Sequence, residues 1–100
     1  MPTYISLLNF TDQGISTVKE TIERVDRATE DAQNKYGGSL QSYWTVGPYD
    51  LVGIAEAPDD ESASAFALEL SSSGNIRTTT MRAYDQEEMS GIVQSLGSEG

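Results

Sequence analysis

Residues 40–57 read LQSYWTVGPYDLVGIAEA. Leu40 to Val46 carries Tyr43, Trp44, Thr45 and Val46, and Tyr49 to Ala57 carries Leu51, Val52 and Ile54. These aromatic and β-branched side chains suit a pleated, half-buried surface. Between the two runs Gly47-Pro48 turns the chain, because proline fixes φ and glycine tolerates positive φ. The stretch predicts a hairpin.

Working back towards the start, Gly37-Gly38 closes a helix, since glycine accepts the left-handed C-cap conformation. Ile15, Val18, Ile22, Val25, Ala28, Ala32 and Tyr36 recur every three or four residues, which predicts one amphipathic helix over Gln13 to Tyr36. Its outer side carries Glu20 with Arg24, Glu23 with Arg27 and Asp31 with Lys35, acid–base pairs each worth about 0.2–0.5 kcal/mol. Thr11 or Asp12 supplies the N-cap. Before it, Thr3 to Phe10 reads as a strand. Tyr4, Ile5, Leu7, Leu8 and Phe10 put apolar side chains on both of its sides, the pattern of a central strand.

Beyond the hairpin, Pro58-Asp59-Asp60 caps a second helix, Glu61 to Ser71, with Ala63, Phe66, Ala67 and Leu70 on its stripe. Ser71 to Asn75 is loop, and Ile76 to Tyr84 is a fourth strand with the β-branched run Thr78, Thr79, Thr80. Asp85 and Glu88 have capping-box spacing before a short helix striped by Met89, Ile92, Val93 and Leu96. Gly97 to Gly100 is expected to fray. The order β-α-β-β-α-β-α predicts one α+β domain over residues 1–100. It is ferredoxin-like, βαββαβ with an extra C-terminal helix and a four-stranded antiparallel sheet. Right-handed crossovers put both main helices on one side of that sheet.

Sixteen acidic residues face six basic ones, a formal charge of -10, in a chain without cysteine or histidine. Such a surface repels phosphate backbones, which argues against nucleic-acid binding. It suits a halophilic cytoplasm, where salt screens self-repulsion. The missing side chains remove Ser-His-Asp and Cys-His nucleophiles, the usual zinc sites and histidine-ligated haem. No cofactor and no metal is expected. No run of about 18 apolar residues spans a membrane, and Met1-Pro2-Thr3-Tyr4 opens no signal peptide, so a cytoplasmic location is expected.

Helices on one side leave the other sheet face bare. One of Tyr43 and Trp44, which point in opposite directions, must lie there, together with half of the first strand. An apolar patch of several hundred Å² marks an interaction surface, so a homodimer through the sheet face is expected. Leu51, Gly53 and Ala55 share one face, and a glycine inside a strand often marks close approach by something else. Roofed by the partner, that face would hold a small cavity.

The turn Gly47-Pro48-Tyr49-Asp50-Leu51-Val52 resembles the signature of the GYD-domain family. The opening Pro2 to Gly14, the stretch Glu56-Ala57-Pro58-Asp59-Asp60-Glu61 and the segment Gly74-Asn75-Ile76-Arg77-Thr78 are similar to that family as well. The resemblance implies a dimeric α/β barrel of the ferredoxin-like group, and no settled activity comes with it.

Asp50, beside Tyr49, is the best acid–base candidate, since burial would raise its pKa and a tyrosine hydroxyl could orient a substrate. Its structural alternative is to accept backbone N–H groups of the hairpin turn. Arg77 and Arg82, of opposite parity on the fourth strand, suit an anionic ligand or an ion pair with Asp50 or Glu56. Tyr43, Trp44, Tyr49, Asp50 and Arg77 are the ligand-binding candidates. Three functions follow. The leading one is a non-catalytic dimeric module for a small ligand or a protein, with possible higher oligomers. The others are a cofactor-independent monooxygenase or isomerase using Asp50, Tyr49 or Tyr43, and a structural protein that stacks dimers.

Overall fold

A computed structural model describes residues 1–97, and the fraying expected over Gly97 to Gly100 lies, past Gly97, outside that range. The elements run β1 (Thr3–Phe10), α1 (Asp12–Ser16), a 3-10 turn (Val18–Glu20), α2 (Thr21–Asn34), β2 (Ser39–Trp44), β3 (Leu51–Glu56), α3 (Asp60–Ser72), β4 (Ile76–Ala83) and α4 (Gln86–Gln94). The sheet is antiparallel throughout, in the order β2-β3-β1-β4, with β1 central as its two-sided apolar pattern requires. Its connectivity is ferredoxin-like. The sheet of one chain is open, with β2 and β4 at its edges.

The long helix predicted over Gln13–Tyr36 is instead broken into α1, the 3-10 turn and α2. Two local causes stand out. A Cβ on the buried Gly14 would lie 1.9 Å from the Asn75 carbonyl oxygen, so α1 is pinned backbone to backbone against the start of β4. Thr17 then leaves helical geometry (φ -115, ψ 28), and its hydroxyl bonds back to the Gln13 carbonyl at 2.8 Å. Arg24 donates to Thr17 Oγ1 and to the Gly14 carbonyl, bracing the elbow instead of pairing with Glu20. The break turns Ile15, Val18 and Ile22 outwards, and only Ala28 and Ala32 of the predicted stripe are buried. Lys35 likewise reaches across to Glu69 at 2.6 Å rather than to Asp31.

The caps follow the sequence. Thr11 accepts from Gly14 N at 3.0 Å, Asp59 from Ser62 N at 2.7 Å, and Asp85 with Glu88 completes a capping box. The hairpin strands are shorter than predicted. Thr45 to Asp50 forms the loop, in which Pro48 has no N–H to give a ladder and Gly47 sits at φ 141. Thr45 N–H donates to the Asp50 carbonyl at 2.9 Å and its hydroxyl to the Tyr49 carbonyl at 2.7 Å.

Register sorts the strand residues into two unlike faces. On the side of α2 and α3, one row crossing the sheet is Leu40, Ala55, Tyr4 and Arg82. The next is Ser42, Gly53, Ser6 and Thr80, and the third is Trp44, Leu51, Leu8 and Thr78. On the other side the rows are Gln41, Ile54, Ile5, Met81 and then Tyr43, Val52, Leu7, Thr79. The core lies under the helices in two small clusters, Tyr4 with Ala57 and Ala63, and Ala28 with Ala32 and Phe66. Tyr36 closes over Phe66, ring centroids 5.4 Å apart.

The layer is loose. The radius of gyration is 15.5 Å, against about 13 Å for a compact chain of this length. α4 contributes to that extension: all its residues except Glu88 are exposed, including Met89, Ile92 and Val93. No helix among the described residues is long and apolar enough to cross a membrane.

Candidate functional site

α2 packs chiefly on the β2 side of the sheet and α3 on the β4 side, leaving a space above β1 and β3. This cavity measures about 330 Å³. Tyr4, Leu8, Val25, Leu51, Phe66 and Leu70 are among the apolar side chains lining it. Its floor includes the row of Ser42, Gly53, Ser6 and Thr80, in which the Ser6 and Thr80 hydroxyls pair at 2.8 Å. Gly53, Leu51 and Ala55 thus face the chain's own helices, not a partner's sheet. The expectation of a partner-roofed cavity is corrected: strand parity put these small residues together, and only the pairing register decides which side they take.

Two polar clamps bound the helices over this space. The Tyr4 hydroxyl donates to Asp60, and that hydrogen bond, with burial, pushes the phenol up to about 12. Glu69 accepts from Lys35 Nζ and from the Tyr36 hydroxyl. These two bonds hold the Glu69 carboxyl below its usual range, and the same bonds raise Lys35 and Tyr36. Asp59, accepting the Ser62 N–H, is also lowered.

The five predicted ligand residues do not converge. All lie outside the lining of the cavity. Tyr43 stands on the bare face, its hydroxyl accepting from Gln41 Nε2 at 2.6 Å. Trp44 points to the helix side and donates from Nε1 to Thr21 Oγ1 at 3.1 Å. Tyr49 is half-buried in the hairpin loop. Asp50 accepts the Phe10 N–H at 2.9 Å through Oδ2, while its own N–H donates to the Leu8 carbonyl at 2.9 Å. Its carboxylate is therefore spent on the neighbouring strand β1 rather than on N–H groups of its own turn. Arg77 is exposed beside Asn9 in a shallow depression. Arg82 pairs with Glu88 at 3.3 Å and lies 4.5 Å over the Tyr84 ring, not with Asp50 or Glu56.

The four segments quoted for the resemblance gather into structural junctions. Thr11 N–H donates to the Asn75 carbonyl at 3.0 Å, Gln13 Nε2 reaches Asn75 Oδ1 at 3.0 Å, and Asp50 ties the hairpin loop to Phe10. At the opposite end of β3, a Cβ on Gly38 would lie 1.8 Å from the Glu56 carbonyl oxygen. These residues build corners, and the hydroxyl row they frame was not singled out in the sequence. Ser6 and Ser42 each look like ordinary polar positions of a strand until register sets them on either side of Gly53.

The GYD domain model matches residues 4–93. The chain belongs to the GYD-domain family. A Thermus thermophilus protein named glutamine synthetase and cystathionine beta-lyase binding protein is 33% identical over 84 residues, covering 83% of this chain and 88% of its own length. Among solved structures, one from Thermus thermophilus superposes with a TM-score of 0.56 at 23% identity, over 85% of this chain and 95% of that one. MtbAldR superposes with a TM-score of 0.64 at 14% identity over 85% of this GYD domain, which spans 54% of MtbAldR. At these identities the two structures speak to the fold.

Proposed function

We infer that the protein is a non-catalytic, dimeric binding module whose partners are other proteins, working in a salt-rich cytoplasm. The observation that carries this reading is the bare sheet face. Ile5, Leu7, Val52, Ile54, Met81 and Tyr43 form one contiguous apolar patch there, with Tyr43 49% exposed, Met81 44% and Ile54 38%. Four strands about 4.8 Å apart and six residues deep present roughly 400 Å² of projected surface, in the range of patches that mark interaction sites. Charge favours a second copy as its cover. The chain carries -10 overall, and the strand residues of this face include only Glu56 and Arg77 as charged groups. Two like-charged copies meet with least repulsion where charge is scarcest. Two such sheets face to face would form the barrel that the family resemblance implies.

The relative's name supports partners that are themselves enzymes, of the glutamine synthetase and cystathionine beta-lyase kinds. Asp50, the best acid–base candidate, lies outside the cavity and is held by backbone, which supports the non-catalytic reading over an enzymatic one. Light scattering at micromolar concentration in molar salt should find about 22 kDa, twice the 10.8 kDa chain. Surface plasmon resonance against the two enzymes purified from the same cell should then give saturable binding to at least one. A mass near 11 kDa ends the dimer, and a flat response to both enzymes ends the proposed partnership.

A further inference from the structure

We propose that the cavity beneath α2 and α3 is a binding site for a small uncharged molecule with an apolar ring body and one hydroxyl or carbonyl group. That polar group would rest on the hydroxyl row of Ser42, Gly53, Ser6 and Thr80. This goes beyond the protein-binding reading and stands without it.

Size sets the body of the ligand. A dry cavity of about 150 Å³ takes benzene, so 330 Å³ accommodates a body about twice as large, such as two fused rings. The walls set its character, with Leu8, Val25, Leu51, Phe66 and Leu70 offering apolar contact. The floor sets its polar group. Ser6 and Ser42 are half-buried and Thr80 is exposed, so the row keeps hydroxyls that a bound polar group could take over from water. Each hydroxyl has one donor and two acceptor sites. The Ser6–Thr80 pair uses one donor and one acceptor, leaving a free donor and spare acceptors, with the Ser42 hydroxyl across Gly53. A ligand hydroxyl or carbonyl completes that set.

Gly53 keeps the floor low. A Cβ there would stand 3.2 Å from Leu40 Cδ1 and 3.8 Å from Ser6 Cβ, and would push the Leu40 side chain up into the cavity. Charge is kept at the margin. Arg24 is held by Thr17 and the Gly14 carbonyl, and Glu69 by Lys35 and Tyr36. Arg27 and Asp31, which also line the space, stand one turn apart on α2 with opposite charges that offset each other. A charged ligand on the row would lose water and gain neutral hydroxyls alone.

Isothermal titration of the full chain with 1-naphthol, naphthalene and 1-naphthoate tests this. 1-Naphthol should bind saturably, one per chain, about 5–10-fold more tightly than naphthalene, the value of one neutral hydrogen bond. 1-Naphthoate should bind most weakly. In the shape-conserving variant Ser6→Ala with Thr80→Val, naphthol affinity should fall to that of naphthalene while naphthalene binding stays within twofold. Ser6→Ala alone makes the same comparison if the double variant does not fold. The proposal is overturned by no saturable binding of any of the three. Equal affinity for naphthol and naphthalene in the native chain, a naphthol preference that survives in the variants, or naphthoate as the tightest ligand would each overturn it too.

Discussion

The two faces of the sheet share out apolar side chains more evenly than a solitary domain needs, although the buried Tyr4, Leu8 and Leu51 all lie under the helices. The face under the helices carries a serine, a glycine, a second serine and a threonine across its middle. The face without helices carries isoleucines, leucine, valine, methionine and tyrosine. A monomer gains by burying the larger apolar side chains and wetting the hydroxyls. Here the covered side is loosely filled and the bare side is greasy. Each face suits what is proposed against it, a second sheet outside and a small molecule within. Placing charge on one face and removing bulk from the other should therefore have different consequences.

The largest effect is expected on the bare face. Ile5 and Ile54 are register partners at its centre. Ile5→Glu with Ile54→Glu places two carboxylates in the middle of each proposed contact surface, four in all, where no cation lies directly opposite on the same chain. Buried unpaired charge costs several kcal/mol, so sedimentation should show association weakened at least about 100-fold. Far-ultraviolet dichroism of the resulting monomer should stay native, because neither residue touches the helices. A dimer that survives the pair of substitutions would mean that this face is not the contact.

The next effect belongs to the covered face. Phe66 is 9% exposed, tilted at 49° against the Tyr36 ring and packed with Ala28 and Ala32. Phe66→Ala should cost about 3 kcal/mol in urea unfolding, at the low end for a buried phenylalanine because the neighbouring space is already open. A loss of under about 1 kcal/mol would show that the helices hardly rest on the sheet at all. Measured in the charged monomer as well, the loss should be unchanged, since the two faces share no side-chain contact.

Much of this arrangement was legible before any coordinates. Apolar, aromatic and β-branched runs marked the strands, a period of three to four marked the main helices, and Thr11 or Asp12, Asp59 or Asp60, and Asp85 stood as the helix starts. What escaped was non-local. The elbow after α1 depends on Gly14 meeting Asn75, sixty-one positions on, and no stripe of Ile15, Val18 and Ile22 reports that contact. The cavity floor depends on register, which brings Ser6, Ser42, Gly53 and Thr80 into one line from three separate pairings. Tyr49 and Asp50 attracted notice for their chemistry, yet a carboxylate beside a tight loop has backbone N–H groups within reach, and Phe10 takes it.

A third, smaller effect tests that role. Asp50 bridges the loop end of the hairpin to β1, and a one-residue slip between these strands would exchange the two faces. Asp50→Ala leaves the Phe10 N–H without its acceptor and should cost about 1 kcal/mol, with hydrogen exchange faster at Phe10 than at Ile5. Equal exchange at both positions would show that the carboxylate does not guard the pairing.

The smallest expected effect lies in the clamp over the covered face, and it carries a sign. Glu69 is held below its ordinary 4.5 by Lys35 and Tyr36, so its contribution is complete above that value and fades as pH falls through the lowered one. Lys35 and Tyr36 are raised from 10.5 and 10.0, so their share is complete below those values and is lost in alkali. Comparing Glu69→Gln with the native chain cancels the other carboxylates, including the relief of self-repulsion that acid brings to a chain of charge -10. The difference in urea midpoint should be small at pH 7, because the pair is exposed and screened, and should shrink steadily towards pH 2. Molar salt should reduce the pH 7 difference while leaving the Phe66→Ala loss in place, since screening acts on the ion pair and not on ring packing. A difference that stays flat from pH 7 to pH 2 would assign the clamp's hold to the Tyr36–Phe66 contact alone.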